Sequence, residues 1–110
     1  MERMGFVIKI KPEQLAEYKR VHAEVWPQVL DKIRDCNIRN YSIFLREPEN
    51  LMFGYYEYHG TDHDADMERM AEDLKTQEWW DLCKPMMEPL ETRADGEFWA
   101  SMDQIFLMEQ

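Results

Sequence analysis

Glycine is scarce in this sequence of 110 residues, which contains four, and none forms the glycine-rich loop that cradles phosphate groups. Its two cysteines, Cys36 and Cys83, lie far apart and outside any CxxC pattern. They are therefore predicted to be reduced thiols, as in a cytoplasmic protein. No stretch approaches the roughly 20 apolar residues of a membrane span. The first apolar segment, residues 4–10, is broken by Lys9 and does not resemble a signal peptide.

Basic residues are also in short supply, with 13 against 23 acidic ones and a net charge of −10. Binding to nucleic acid or to an anionic membrane needs clustered Lys and Arg, so neither is an expected partner. A neutral ligand such as a sugar is compatible with this charge. The hydrophobic fraction of 45% is enough for one core, so residues 1–110 are predicted to form a single domain.

The spacing of apolar residues predicts four strands and two helical regions, the second of them split in two. The strands are expected at 5–10, 38–46, 51–59 and 98–108, with a polar loop at 88–97 before the last. The first helical region starts at Pro12, is kinked by Pro27 near Trp26, and stops near Asn37. In the second region, an acidic helix spans 64–74 and a shorter helix is capped by Thr76. The order β-α-β-β-α-β is typical of a ferredoxin-like α+β fold, an antiparallel sheet with helices on one face.

The face of the predicted sheet that has no helices is expected to be apolar. It would carry Phe44, Trp99 and aromatic residues of the third strand, which are too hydrophobic to remain in water. This pattern predicts a homodimer in which the two sheets face each other.

Tyr18, His22 and Trp26 are spaced four apart and therefore lie along one face of the first helix. An imidazole titrates near neutral pH and can donate and recover a proton, which makes His22 the candidate catalytic residue. A histidine on an apolar helix face is also commonly just part of the packing. The phenol of Tyr41, on the second strand, either belongs to the core or contacts a ligand hydroxyl.

Trp79 and Trp80 are consecutive residues of the last helix and point about 100° apart. One of them is therefore expected in the core, while the other lines a pocket. Aromatic faces suit the C–H surface of a sugar ring, and an indole N–H can donate a hydrogen bond.

A metal site is the weaker interpretation of the acidic segment that follows the third strand. The spacing of its possible ligands fits neither a zinc site nor an EF-hand. Those residues are His59, Asp62, His63, Asp64 and Asp66. A solvated surface segment is favoured, and no metal or other cofactor is expected.

Taken together, three motifs closely resemble those of the L-rhamnose mutarotase family, in order and in spacing, over nearly the whole chain. They are Tyr18-x-x-x-His22-x-x-x-Trp26-Pro27, the segment NYSIFL at 40–45, and Trp79-Trp80. The resemblance implies a dimeric, ferredoxin-like α+β barrel that interconverts the anomers of L-rhamnose without a cofactor. It also implies that His22 is the proton donor and that Tyr18, Tyr41, Trp79 and Trp80 bind the sugar. The segment between the third strand and Trp79 is a few residues longer than the family pattern, and 61–66 is its least family-like part.

Several alternatives stay open at this stage. The base that partners His22 could be Glu57, Asp81 or a water molecule. The substrate could be another 6-deoxy sugar, such as L-fucose. Two other classes are a non-catalytic sugar-binding module and a cofactor-using or haem-related enzyme with His22 as a ligand.

Overall fold

An antiparallel sheet of five strands forms one layer of the computed structural model, which describes residues 1–109. The strands are β1 (Glu2–Ile10), β2 (Ile38–Arg46), β3 (Leu51–Tyr58), β4 (Met87–Glu88) and β5 (Ala100–Met102). They are ordered β2-β3-β1, and β4 and β5 share the remaining edge of β1. This α+β arrangement agrees with the predicted ferredoxin-like order, and the β2–β3 hairpin is confirmed.

Four helices form the second layer: α1 (Leu15–His22), α2 (Pro27–Asp35), α3 (His63–Glu72) and α4 (Leu74–Cys83). Short 3₁₀ turns precede α1 at Pro12–Gln14 and follow α4 at Lys84–Met86. The predicted break near Trp26 is confirmed, because α1 ends at His22 and Pro27 is the first residue of α2. Proline is tolerated there, since the first helical residue needs no N–H donor. No helix within residues 1–109 is long and apolar enough to cross a membrane.

All four helices pack on one face of the sheet, which we call the inner face. Tyr18, Val29 and Trp79 pack with Ile8 and Met52 in one core cluster. A second cluster joins the buried Met70 of α3 to strand residues that include Tyr56 and Tyr58. Because side chains alternate along a strand, the residues between these inner ones point to the opposite, outer face.

The outer face carries Phe44 and Phe53, which are 66% and 36% exposed. These two residues face each other across β2 and β3. The expectation that Trp99 shares this face is wrong, because Trp99 packs against the inner core cluster. It lies over Gly54, where an added Cβ would stand 3.2 Å from Trp99 Cζ3, so glycine makes room for the indole.

The cap of the last helix also differs from the expectation. Asp73, rather than Thr76, is the N-cap of α4, and its carboxylate accepts hydrogen bonds from the Thr76 amide (3.0 Å) and hydroxyl (2.8 Å). Thr76 is itself a buried residue of the helix. Both residue types can cap a helix, so only the geometry decides between them.

The last strand is much shorter than the predicted 98–108. Only Ala100–Met102 pair with β1, and the side chains of Ile105, Phe106 and Met108 are largely exposed. The two-residue strand β4, which lies partly in the predicted polar loop, pairs with the end of β1 at Lys9 and Ile10. The apolar composition of 98–108 predicted a longer strand, but β4 occupies the edge of β1 before β5 begins, and pairing with β1 stops at Met102.

Candidate active site

Tyr18 and His22 lie one turn apart on α1, and their rings stack with centroids 3.9 Å apart and planes 19° apart. The edge of Trp79, from α4, approaches His22 at 5.1 Å. Trp26, at the start of α2, in turn meets Trp79 edge to face at 5.2 Å. The prediction that Trp26 shares one helix face with Tyr18 and His22 is wrong, because α1 ends at His22 and Trp26 caps α2. The three side chains nevertheless join one aromatic cluster through Trp79.

A hydrogen bond to the backbone fixes the His22 ring. Its Nδ1 lies 2.9 Å from the carbonyl oxygen of Tyr18, so Nδ1–H donates and Nε2 is left for proton transfer. Burial lowers the pKa of His22 below its usual 6.5, although the bond to Tyr18 opposes this shift. At neutral pH His22 is therefore a neutral imidazole whose Nε2 can accept a proton.

A β-bulge brings Tyr41 to the inner face. Between the pairs Arg39–Glu57 and Ser42–Tyr55, both Asn40 and Tyr41 stand opposite Tyr56 alone. Asn40 has a φ of +52°, a left-handed conformation that asparagine tolerates better than most residues. A bulge of this kind redirects the side chain of the strand that carries it.

Tyr41 is 43% exposed, and its ring lies 5.5 Å from the ring of Tyr56, a buried residue of the inner face. Burial raises the pKa of Tyr41 to about 12. The pKa of Tyr18 is raised as well, chiefly by burial and further by the nearby Tyr41 and Cys83. Both phenols therefore stay protonated at neutral pH and can donate hydrogen bonds to a ligand.

Trp80 differs from Trp79 in its surroundings, as two consecutive helical residues should. Trp79 is buried at 7% exposure, whereas Trp80 is half-buried and packs against both core clusters. The ammonium group of Lys84 lies 4.7 Å from the centre of the Trp80 ring, a cation–π contact. The ring contacts of His22 are with Tyr18 and Trp79, so these three side chains form the centre of the cluster.

Neither carboxylate expected as a partner base lies beside His22. Glu57 points to the outer face, where it accepts hydrogen bonds from Asn40 Nδ2 (3.0 Å) and Tyr55 Oη (2.9 Å). These bonds lower the pKa of Glu57. Asp81 is an exposed residue of α4. The structure therefore makes Glu57 a surface hydrogen-bonding group instead of a base directed at the inner face.

The acidic segment is structured rather than merely solvated. Asp62 caps α3 by accepting from the Ala65 amide at 3.1 Å. Asp66 accepts from Tyr58 Oη at 2.5 Å and from Asn37 Nδ2 at 3.0 Å, and these bonds lower its pKa to about 2. Within residues 1–109, no three His, Cys, Asp or Glu side chains are grouped so that they could hold a metal ion.

His63 and Tyr56 are two residues near the site that the sequence reasoning missed as a pair. His63 Nε2 lies 2.6 Å from Tyr56 Oη, and the Tyr56 ring is 5.5 Å from the Tyr41 ring. The signal available in the sequence was a histidine in the acidic segment that follows the third strand. Its contact with a strand tyrosine depends on where α3 packs, which the sequence does not specify.

Two open surface depressions lie away from this aromatic cluster. One is lined by residues 9–13 with Glu49, Asn50 and Glu88, and the other by residues of the loop 91–98. Neither depression is lined by a histidine, whereas the cluster around His22 combines an imidazole with aromatic side chains. The cluster around His22 is therefore the candidate active site.

Comparison with known proteins gives a consistent result. A family profile described as L-rhamnose mutarotase matches residues 3–108. The chain is 35% identical to the L-rhamnose mutarotase of Oceanobacillus iheyensis over 88 residues, 80% of this chain and 82% of that protein. It is 31% identical to that of Burkholderia ambifaria over 96 residues, which are 87% of this chain and 86% of the relative.

Solved structures agree with the sequence relatives. The crystal structure of the L-rhamnose mutarotase FA22100 from Formosa agariphila is similar with a TM-score of 0.78 and 25% identity, covering 99% of this chain and 100% of that one. Tetracenomycin F2 cyclase from Streptomyces glaucescens is similar with a TM-score of 0.74 at 12% identity, covering 100% of this chain and 99% of that one. At that identity the second likeness concerns the fold alone.

Proposed function

Because the chain belongs to the L-rhamnose mutarotase family, we propose that it interconverts the α and β anomers of L-rhamnose as an aldose 1-epimerase-type isomerase. The observation that carries the proposal is the oriented His22, whose Nδ1 is bonded to the Tyr18 carbonyl oxygen while Nε2 is left for the sugar. The whole chain, residues 1–110, serves this one activity as a single domain.

In the proposed reaction, neutral His22 first accepts the proton of the anomeric hydroxyl at Nε2. As the C1–O5 bond breaks, its electrons pass to the ring oxygen, and the imidazolium donates the same proton there. The hydroxyl oxygen and the ring oxygen are both attached to C1, so one nitrogen can serve them in turn. Rotation about C1–C2 followed by the reverse transfers closes the ring on the other face of the aldehyde. His22 thus acts as proton donor at ring opening and ends in its starting form.

Four residues are proposed to bind the sugar around His22. Tyr18 and Tyr41 keep their phenolic protons and can donate to sugar hydroxyls. Trp79 and Trp80 offer indole surface for the C–H face of the ring and for the C5 methyl group of a 6-deoxy sugar. Burial of Tyr18 and Trp79 keeps water away from the imidazole, which favours a controlled proton transfer.

We also propose that the protein is a homodimer in which the outer faces of two sheets pack together. Phe44 and Phe53 form an exposed apolar surface there. The segment after β5 adds Ile105, Phe106 and Met108, which have no cover within the described residues. A second copy supplies apolar surface of matching chemistry and closes the two sheets into a barrel.

A cytoplasmic location agrees with the state of the two cysteines. Cys36 and Cys83 are free and buried, and burial raises the pKa of Cys83 to about 11. Such thiols are neutral and inert, as expected for packing residues in a reducing compartment.

The experiment that tests the proposed activity is NMR saturation transfer between the anomeric protons of L-rhamnose at equilibrium. The protein should accelerate exchange in proportion to its concentration, above the rate of buffer alone. An exchange rate equal to that of buffer, with a folded protein, would reject the activity. Binding without acceleration would instead support the sugar-binding module.

A further inference from the structure

The segment that the proposed reaction leaves unused brings a second histidine to the inner face of the sheet. His63 is the first residue of α3, and its Nε2 lies 2.6 Å from Tyr56 Oη. The two rings are nearly parallel, 16° apart, with centroids separated by 6.0 Å. The short hydrogen bond to His63 fixes the direction of the Tyr56 hydroxyl.

Tyr56 needs this partner because it is almost wholly buried, at 6% exposure. A buried hydroxyl without a hydrogen bond is costly, so the bond to His63 stabilises the orientation of the ring. Phe6 packs on Tyr56 at 5.3 Å, and the edge of the His63 ring is further held by Tyr58 at 5.0 Å. The hydrogen bond to His63 and the packing of Phe6 therefore restrict the orientation of the Tyr56 ring.

The Tyr56 ring lies opposite the bulge that carries Tyr41. Asn40 and Tyr41 share Tyr56 as their only counterpart on β3, and the Tyr41 and Tyr56 rings are 5.5 Å apart. A residue in a bulge lacks regular ladder hydrogen bonds, so side-chain packing contributes more to its placement. In agreement, burial and then the nearby Tyr41 raise the pKa of Tyr56.

We propose that His63 is a positioning residue which, by holding the Tyr56 hydroxyl, fixes Tyr56 against Tyr41 and so sets the direction in which the Tyr41 phenol meets the sugar. The inference rests on the proposed function, because Tyr41 is there a sugar-binding residue. The pair acts on sugar binding and leaves proton transfer at His22 unchanged. The acidic segment then contributes to the site, since it places His63 beside the residue opposite the bulge.

The test compares anomer exchange at a series of L-rhamnose concentrations for the parent protein and four variants. Tyr56→Phe and His63→Ala should raise KM roughly 2- to 10-fold, the range for loss of one hydrogen bond, with kcat within about twofold of the parent. His63→Gln, whose amide can still reach the hydroxyl, should restore most of the parental KM. His59→Ala is the matched control, because this neighbouring histidine is exposed and should leave both constants unchanged.

A double-mutant cycle separates positioning from general loosening of the fold. In a Tyr41→Phe background there is no phenol left to orient, so Tyr56→Phe should cause no further rise in KM. Equal effects of Tyr56→Phe with and without the Tyr41 hydroxyl would overturn the proposal. So would unchanged KM in folded His63→Ala and Tyr56→Phe proteins.

The outcomes also distinguish this inference from the proposed function. If the parent exchanges anomers and folded Tyr56→Phe and His63→Ala proteins behave like the parent, the inference alone fails. If the parent does not accelerate exchange at all, the proposed function fails, and the inference built on it fails as well.

Discussion

His22 and Tyr18 are joined twice, by a ring stack at 3.9 Å and by a 2.9 Å hydrogen bond from His22 Nδ1 to the Tyr18 carbonyl oxygen. The stack sets the plane of the imidazole and the bond sets its tautomer. Together they define which nitrogen can exchange a proton with a ligand.

Replacing His22 by alanine should lower the catalysed exchange of L-rhamnose anomers by roughly 100-fold or more, the usual scale of general acid–base catalysis. The fold should persist, because His22 is only half-buried. Saturation-transfer NMR measures the rate, and circular dichroism checks the fold. His59→Ala serves as the control. Near-parental exchange in folded His22→Ala protein would remove His22 from the mechanism.

The catalysed rate should be constant above pH 6.5 and fall at a lower pH. Burial lowers the pKa of His22 below 6.5, so the neutral form that starts the reaction persists into mildly acidic solution. The same shift implies that the stability contributed by neutral His22 is present above pH 6.5 and is lost as pH falls through the lowered pKa. Exchange rates corrected for buffer catalysis test this. A loss of activity on raising the pH above 6.5 would mean that the protonated form starts the reaction.

The sugar preference should be graded rather than absolute. L-Rhamnose should exchange fastest, and L-mannose more slowly, because L-mannose has CH2OH in place of the methyl group and one such change discriminates by about 10- to 200-fold at most. L-Fucose keeps the methyl group and should also exchange more slowly, because the configuration of its ring hydroxyls differs from that of L-rhamnose. Rhamnose 1-phosphate should not react, since it has no free anomeric hydroxyl. Exchange measured side by side decides this. Equal rates for L-rhamnose, D-glucose and D-galactose would contradict a methyl-binding pocket.

Sedimentation at micromolar concentration should give twice the chain mass of 13.4 kDa. Phe44→Glu places a charge in the proposed interface, where Phe44 is otherwise 66% exposed, and should shift the protein towards the monomer. Glu91→Gln, an exposed change in the loop before β5, is the control. A parent that sediments as a monomer throughout this range would exclude the sheet-to-sheet dimer.

Thr76→Val should reduce the free energy of unfolding by about 1 kcal/mol, the net value of one hydrogen bond. Thr76 is 1% exposed and its hydroxyl donates to Asp73 Oδ2 at 2.8 Å, whereas valine keeps the volume and loses the bond. Urea unfolding at neutral pH gives the measurement, with Thr92→Val in the exposed loop for comparison. Equal midpoints for Thr76→Val and the parent would show that the cap does not depend on the hydroxyl.

Local relationships were the part of the site that could be predicted from sequence. Tyr18 and His22 are four residues apart on one helix, so their contact needs no knowledge of the rest of the fold. The strand Ile38–Arg46 was predicted with the bounds that the structure has, because alternation and flanking turn residues agree there.

Relationships between distant elements could not be predicted in the same way. The contact between His63 and Tyr56 depends on the packing of α3, and the inward phenol of Tyr41 depends on a bulge. The last strand was predicted too long at both ends. β4 occupies the edge of β1 at Lys9 and Ile10 and so limits where β5 can begin, and no alternation pattern within 98–108 reveals that pairing stops at Met102.

Asp73 is both the last residue of the turn that ends α3 and the first cap of α4, so one residue joins the two helices. Because Asp73 is the only residue between the two helices, this connection cannot absorb a change in chain length. A residue inserted or removed there would rotate α4 by about 100° and turn Trp79 away from His22. A residue inserted in the turn before Asp62 would instead leave the register between Asp73 and Trp79 unchanged, while it would alter which side chain lies beside Tyr56.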